Sequence, residues 1–346
     1  VCFAAKSNSN THILRVLGKL GAGADVVSGG ELLKALKAGI KPKKIVFSGV
    51  GKTYDEIRYA AKNKILLINA ESKSEIETIL KVGRSIGKKI NIGFRLNPNV
   101  DARTIKEITT GKNLNKFGLN EKEVLQLINF YKKSKYINIK CLSVHIGSQI
   151  TSHVPYLKML KSIQKIIDKS KFIFEYIDLG GGMGIDYEHN NKKLNLRKYY
   201  QNIKKFLIKK NSKIIFEPGR SIIGDTAILI SKVIYIKEGH KKDFIILDAA
   251  MNDLIRPALY GAKHKIIATQ KTTKISRKIY EFVGPICEST DKFSTIKNFQ
   301  KLKEKDFVIL CDVGAYGTSL SSNYNLRPKP IEILLKGSKI KVIKKR

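Results

Sequence analysis

Short, largely apolar runs rich in β-branched residues alternate with longer stretches in which apolar positions recur every three or four residues. The pattern holds through the first two-thirds of the chain. The short runs are Val1–Ala5, Ala24–Val27, Ile45–Ser48, Ile65–Ile68, Ile90–Leu96, Ile139–His145, Phe172–Leu179 and Lys213–Glu217. Such runs predict strands that are buried on both faces. Between them the helical period predicts helices over Glu31–Ala38, Tyr54–Ala61, Ser72–Val82, Glu121–Tyr131, Tyr156–Ile167 and Leu196–Ile208. Strands alternating with helices imply a parallel sheet. Eight strand candidates in succession predict a (β/α)8 barrel of the TIM type. A doubly wound open sheet is the alternative, and the strand count disfavours it.

After Gly224 the pattern changes. Ala227–Ile236, Asp243–Leu247, Lys278–Val283, Phe307–Cys311, Ile331–Leu335 and Lys339–Ile343 read as strands joined by loops, with few helical stretches. This predicts a second, mostly antiparallel β domain. The expected division is a barrel over residues 1–229 and a β domain over 230–346.

Composition changes this picture little. The 346 residues suffice for two domains with real cores. The formal net charge of +37 raises the question of a nucleic-acid partner. Yet the lysines are spread over nearly every predicted helix and loop, as in the stretch Lys161–Lys169, where they solvate an outer face. No recognised nucleic-acid motif accompanies them, so a compositional bias is the preferred reading and no nucleic-acid partner is expected. No run approaches the roughly 18 apolar residues of a membrane-spanning helix, so no membrane partner is expected either. The four cysteines, Cys2, Cys141, Cys287 and Cys311, are far apart and form no paired motif. Neither a metal site nor a disulfide framework is indicated, which fits a cytoplasmic protein.

The chemistry gathers at the strand ends, and in a (β/α)8 barrel the C-terminal strand ends carry the active site. Lys6 follows the first strand, Ser28-Gly29-Gly30 the second, Arg95 and Asn97 the fifth, and His145 with Gly147-Ser148 the sixth. Gly180-Gly181-Gly182 follows the seventh strand and Glu217-Pro218-Gly219-Arg220 the eighth. Each has a bland explanation. Lys6 could be a solvated lysine, His145 a satisfied core residue, the glycines a tight turn, and Glu217 a structural ion pair with Arg220. Together they suggest more. A desolvated lysine can bond covalently to an aldehyde. Glycine-rich turns and a serine can cradle a phosphate. A histidine ring can stack on a flat cofactor, and a buried carboxylate can hold a protonated ring nitrogen. Those are the requirements of pyridoxal 5'-phosphate.

With these residues goes a set of longer motifs: Phe3-Ala4-Ala5-Lys6-Ser7-Asn8, Asp25-Val26-Val27-Ser28-Gly29-Gly30-Glu31-Leu32, Arg95-Leu96-Asn97-Pro98, Lys116-Phe117-Gly118 and Ser143-Val144-His145-Ile146-Gly147-Ser148-Gln149. The glycine triplet and the Glu217–Arg220 turn complete them. Along essentially its whole length the chain resembles the fold-type III pyridoxal-phosphate-dependent decarboxylases, most closely the diaminopimelate decarboxylase family. The resemblance implies an alanine racemase-like architecture of barrel plus β domain. It implies that Lys6 carries the cofactor, that His145 stacks on its ring and that Glu217 faces the pyridine nitrogen. Ser148, Gly181, Gly182, Pro218, Gly219 and Arg220 would hold its phosphate and ring. It also implies a homodimer in which the partner's β domain completes each site.

Two further stretches bear on the substrate. Met251-Asn252-Asp253-Leu254-Ile255-Arg256-Pro257-Ala258-Leu259-Tyr260 and Gly284-Pro285-Ile286-Cys287-Glu288-Ser289-Thr290-Asp291 look like the diaminopimelate enzymes and unlike the ornithine enzymes. By resemblance, Arg220, Arg256 and Tyr260 bind substrate, Glu288 takes its distal ammonium, and Tyr316 touches substrate and cofactor. Cys287 would protonate Cα after CO2 leaves. The assignment has a physical logic. Diaminopimelate carries a second amino-acid head that ornithine lacks, and arginine forks with one acid match that head. The implied reaction is decarboxylation of meso-2,6-diaminopimelate to L-lysine, the last step of lysine biosynthesis.

The resemblance further implies a segment ahead of Val1 and a final helix beyond Arg346. Phe3 stands where the family usually has Tyr, and Ser7 where it usually has Ala. The competing readings are an ornithine or arginine decarboxylase, an alanine racemase, a non-enzymatic cofactor carrier and a nucleic-acid binder. The Arg256/Tyr260 and Cys287-Glu288 stretches disfavour the first two, the β domain the third, and the scattered charge the last.

Overall fold

The structure is a computed structural model that describes residues 1–102, 110–111, 115–208, 210–270 and 272–344. The chain forms two compact units, one of Val1–Ile185 with Lys192–Ser221 and one of Asp186–Asn191 with Ile222–Arg346.

The first unit is built on eight strands: β1 (Cys2–Ala4), β2 (Gly23–Val26), β3 (Ile45–Phe47), β4 (Leu67–Ala70), β5 (Ile90–Arg95), β6 (Ile137–Ser143), β7 (Tyr176–Asp178) and β8 (Lys213–Ile215). They lie in sequence order in one sheet, and every neighbouring pair is parallel. The backbone just after β8 closes the ring on β1. Cys2 N–H donates to Phe216 O at 2.8 Å and Ala4 N–H to Pro218 O at 3.0 Å. The expected (β/α)8 barrel is therefore what forms, with all eight strand candidates in place.

Among the described residues, seven helices follow strands around it: α1 (Thr11–Lys19), α2 (Gly29–Lys37), α3 (Tyr54–Lys62), α4 (Lys73–Ser85), α5 (Glu121–Tyr131), α6 (Val154–Ser170) and α7 (Leu196–Leu207). Their starts are chemically specified. Asn10, Ser28, Thr53, Ser72, Asn120 and Asn195 each accept a backbone N–H from the first turn of their helix. At α3 and α5 the third residue, Glu56 or Glu123, returns the bond as a capping box. Each helix buries its apolar stripe, for example Ile57 and Ala60 of α3 or Ile76, Ile79 and Val82 of α4. The lysines lie on the other faces.

The second unit holds a six-stranded sheet of β9 (Leu229–Lys237), β10 (Lys242–Leu247), β11 (Ile266–Ala268), β12 (Ile279–Val283), β13 (Lys292–Ile296) and β14 (Phe307–Leu310). Its order is β11-β14-β9-β10-β12-β13. All pairs are antiparallel except β10 with β12. β11 and β13 add to the strands expected from sequence. A short helix, α8 (Arg220–Ile223), bridges the division at Ser221, α9 (Arg256–Tyr260) precedes β11, and a hairpin of β15 (Glu332–Lys336) and β16 (Lys339–Lys344) ends the described chain. The core of this unit gathers Val233, Ile245, Leu247, Tyr280, Phe282 and Leu310.

Candidate active site

Lys6 sits in a 3-10 turn, Ala5–Ser7, immediately past β1. Its Nζ lies 3.1 Å from Oδ2 of Asp25, a fully buried residue of β2. In-register pairing of β1 with β2 sets Ala4 opposite Asp25, so strand geometry delivers the acid to the amine. Oδ1 of Asp25 has no hydrogen-bond partner among the described residues. The neighbouring Ser7 is fully buried, and its hydroxyl is satisfied by donation to Ala4 O at 2.8 Å. Phe3 is fully buried too.

Beside this pair the barrel interior is polar. Asn69 of β4 donates to Asp178 Oδ2 at 3.1 Å, and lies 3.3 Å from the hydroxyls of Ser48 and Ser143. The Ser143 hydroxyl reaches Asp178 Oδ2 at 3.3 Å, and that of Ser48 reaches Glu217 Oε1 at 3.5 Å. Burial pushes the Glu217 carboxyl well above the usual range, and the Asp178 and Asp25 carboxylates add to the push, while Lys6 pulls it back. Burial raises Asp178 as well. Three enclosed acids thus share this interior with the amine of Lys6. Such a site is short of positive charge and suits a ligand with a protonated ring nitrogen.

The rest of the rim is made from backbone. The Gly181 N–H donates to Nδ1 of His145 at 3.2 Å. A nitrogen that accepts an N–H carries no proton, so the imidazole is the neutral Nε2–H tautomer. Burial drives its pKa well below the ordinary value, with the Lys6 and Arg95 cations adding to the effect. The glycine triplet is required by close packing. A Cβ on Gly180 would meet Val144 O at 2.6 Å, one on Gly181 would meet Glu217 O at 2.1 Å, and one on Gly182 would meet Gly147 O at 2.3 Å. Gly180 and Gly182 also take positive φ, +62° and +89°. The triplet therefore draws the ends of β6, β7 and β8 together. Arg220 is buried and donates to Ser148 Oγ at 3.1 Å. Pro218 and Gly219, also buried, pack the turn against β1, with Ser7 Cβ 2.9 Å from the place a Gly219 Cβ would take. Lys6, His145, Ser148, Gly181, Gly182, Glu217, Pro218, Gly219 and Arg220 therefore share one end of the barrel. Arg95 does something else there. It pairs with Glu71 at 2.7 Å and lies over the Phe117 ring at 4.8 Å, fixing the Lys116-Phe117-Gly118 loop.

The remaining expected residues belong to the second unit. Cys287 and Glu288 are exposed on the Gly284–Asp291 loop. Buried Asp291 shapes that loop by accepting the N–H groups of Ile286 and Met251, both at 2.7 Å. Glu288 accepts from the Tyr324 hydroxyl at 2.5 Å. Arg256 and Tyr260 begin and end α9, the arginine buried and the tyrosine half-buried. Tyr316 holds a positive φ of +59°, a strained conformation for a bulky residue. Sequence reasoning left Asp25, Asn69, Asp178 and Asp291 out of the site. The one available signal was an acid or amide inside an otherwise apolar strand or motif.

A family model described as pyridoxal-dependent decarboxylase, pyridoxal binding domain, matches residues 1–224. The diaminopimelate decarboxylase of Helicobacter pylori is 44% identical, with an alignment that covers 100% of this chain and 86% of the relative. That of Aquifex aeolicus is 40% identical, covering 100% and 83%. Among solved structures, the Helicobacter pylori diaminopimelate decarboxylase complexed with L-lysine superposes with a TM-score of 0.94 at 44% identity, covering 100% of this chain and 86% of that one. The lysine/ornithine decarboxylase of Vibrio vulnificus, at 20% identity and a TM-score of 0.82 over 95% of this chain and 85% of its own, shares the fold. Identity at this level across every residue from the first barrel strand to the last β-hairpin means that the chain belongs to the diaminopimelate decarboxylase family of pyridoxal-dependent decarboxylases.

Proposed function

We propose that this chain decarboxylates meso-2,6-diaminopimelate to L-lysine and CO2, with pyridoxal 5'-phosphate held at the rim of the barrel. The observation that carries this reading is the Lys6–Asp25 pair beside the buried Asp178 and Glu217 carboxyls. The donor set fits the cofactor: an amine for its aldehyde, a neutral imidazole for its ring face, and an acid for its ring nitrogen. Ser148, Gly181, Gly182, Gly219 and Arg220 would hold the phosphate, with Pro218 fixing their turn and Tyr316 touching the cofactor from the β domain. Once bound, pyridoxal phosphate supplies an electron sink for the bond pair released as CO2 leaves.

The residues supply the rest. Asp25 Oδ2 stands 3.1 Å from Lys6 Nζ and holds the amine in place at the end of the first strand. Glu217, driven toward its protonated form, holds a proton for the ring nitrogen. His145, neutral and fixed by Gly181, presents a flat face without adding charge. Arg220 and Arg256 offer guanidinium forks to substrate carboxylate, Glu288 takes the distal ammonium, and Tyr260 and Tyr316 flank the substrate. Cys287 donates its Sγ proton to Cα. Ornithine would leave an arginine without its carboxylate, which disfavours it. In this reading residues 1–229 bind the cofactor and 230–346 supply substrate contacts. The enzyme works in the cytoplasm as a homodimer that shares residues across its active sites.

The test is CO2 release from meso-diaminopimelate, ornithine and arginine in the presence of pyridoxal phosphate, with Lys6→Ala as control. Lysine formed from diaminopimelate alone, and lost in the control, is the expected result. Turnover of ornithine in preference would refute the substrate assignment.

A further inference from the structure

Arg256 is held by two groups that neither the sequence motifs nor the proposed chemistry employs. Its guanidinium carbon lies 4.5 Å from the centroid of the Tyr187 ring, and its Nη1 is 2.7 Å from Nε2 of His264. The His264 ring in turn meets Tyr187 edge-on, with centroids 5.1 Å apart and planes at 72°. Local structure brings them together. Pro257 lies in the first turn of α9, and Gly261 caps its end at a positive φ of +60°. The chain thereby doubles back, and His264 faces the arginine eight residues before it. His264 then leads into β11, where Cys311 N–H donates to Lys265 O at 2.9 Å.

The tautomer follows from the partners. Nδ1 of His264 is 2.8 Å from the carbonyl oxygen of Cys311. A carbonyl only accepts, so Nδ1 carries the proton. A guanidinium only donates, so Nε2 carries the lone pair. The imidazole is therefore neutral, and its acceptor is aimed at Arg256. A protonated ring would set a cationic donor against another at hydrogen-bond distance. Arg256 and His264 are both 4% exposed, and Tyr187 is 8% exposed.

We propose that His264 is a positioning residue for the substrate-binding Arg256, with Tyr187 as the second wall of the clamp, and that this hold sets affinity for the substrate's carboxylate. A neutral acceptor and an aromatic face orient the guanidinium without adding a competing carboxylate of their own. The inference rests on the reading of Arg256 as a carboxylate ligand given above.

The experiment is calorimetric binding of L-lysine and of cadaverine, which lacks the carboxylate, to the cofactor-loaded enzyme. The variants are Arg256→Met, His264→Phe, His264→Gln and the double variant Arg256→Met/His264→Phe. Loss of one charge-assisted bond predicts that His264→Phe weakens L-lysine binding roughly tenfold or more, with cadaverine unaffected. Glutamine places an oxygen near the position of Nε2 and restores L-lysine affinity to within about threefold of the parent. In the double variant His264→Phe adds nothing, because it acts through Arg256. If Arg256→Met weakens L-lysine and His264→Phe does not, the positioning role is overturned while the substrate reading stands. Equal weakening of L-lysine and cadaverine by His264→Phe overturns it too, as general damage. If Arg256→Met leaves L-lysine affinity unchanged, the carboxylate reading of Arg256 itself fails.

Discussion

Replacing Lys52 with methionine tests whether the barrel rim depends on a buried charge. Lys52 Nζ lies 2.7 Å from Glu75 Oε1, and the two side chains are 0% and 7% exposed. The same ammonium donates to Asn69 O at 2.9 Å and to Gly49 O. Methionine has similar length and no charge, so the substitution removes the pair without opening a large void. It leaves the Glu75 carboxylate enclosed and uncompensated, which costs about 3–5 kcal/mol when one partner of a buried pair is lost. Lys52→Met/Glu75→Gln removes both charges, while the glutamine still accepts the Glu71 N–H that Glu75 Oε2 now holds at 2.9 Å. Most of the stability should return. The pH dependence has a defined sign. Burial already raises Glu75 above its ordinary 4.5 against the pull of Lys52, and without Lys52 it rises further. A carboxyl raised on folding binds more protons folded than unfolded. Its stabilising contribution is complete below the unfolded value and is lost as pH climbs through the folded one. The deficit of Lys52→Met is therefore smallest in acid and grows toward neutrality. Urea titrations of barrel unfolding at several pH values, with cofactor retention measured alongside, read both effects. A deficit below about 1 kcal/mol, one that does not change with pH, or a double variant no better than the single would refute the reasoning.

Two other outcomes follow from the rim. Gly181→Ala sets a Cβ 2.1 Å from Glu217 O and 2.9 Å from its carbonyl carbon, so the backbone must shift. Overpacking of this kind costs about 1–3 kcal/mol and displaces the N–H donor to His145 and the Glu217 turn together; an unchanged melting temperature with unchanged pyridoxal phosphate retention would speak against the packing account. For His145, whose pKa is lowered on folding, stability is present above the ordinary 6.5 and is lost as pH falls through the folded value. Nuclear magnetic resonance of the ring should find it neutral at its ordinary midpoint, and a midpoint at or above 6.5 would contradict the tautomer drawn from the Gly181 bond.

The barrel was legible because its strands are buried on both faces and so read as unbroken apolar runs bounded by helical periods. Lys6, His145 and Glu217 stood out because each ends such a run. The interior acids did not. Asp25 and Asp178 lie within strands, where sequence alone cannot tell a lumen from a core, and only the closed barrel sets Asp25 against Lys6 and Asp178 against Asn69. In the β unit, β11 is three residues long and β13 reads Lys-Phe-Ser-Thr-Ile, too short and too polar to rise above loop. The five residues of α9 hold too little of a helical period to register. His264 was invisible for a related reason. Its partner is eight residues away, a separation that only the turn at Gly261 makes meaningful.

The two hydrogen bonds that seal the barrel, from Cys2 to Phe216 and from Ala4 to Pro218, also set an order for biogenesis. The strand that bears the lysine leaves the ribosome among the earliest of this unit, and the turn that bears Glu217 among the last. Until Phe216 and Pro218 emerge and dock, the first strand has an open edge and Lys6 has no Glu217 beside it. Long-range closure of this kind is the slow part of folding a parallel barrel. On the proposed function, retention of pyridoxal phosphate would therefore report that the circle is complete, and the free cofactor would favour the finished ring over every shorter intermediate.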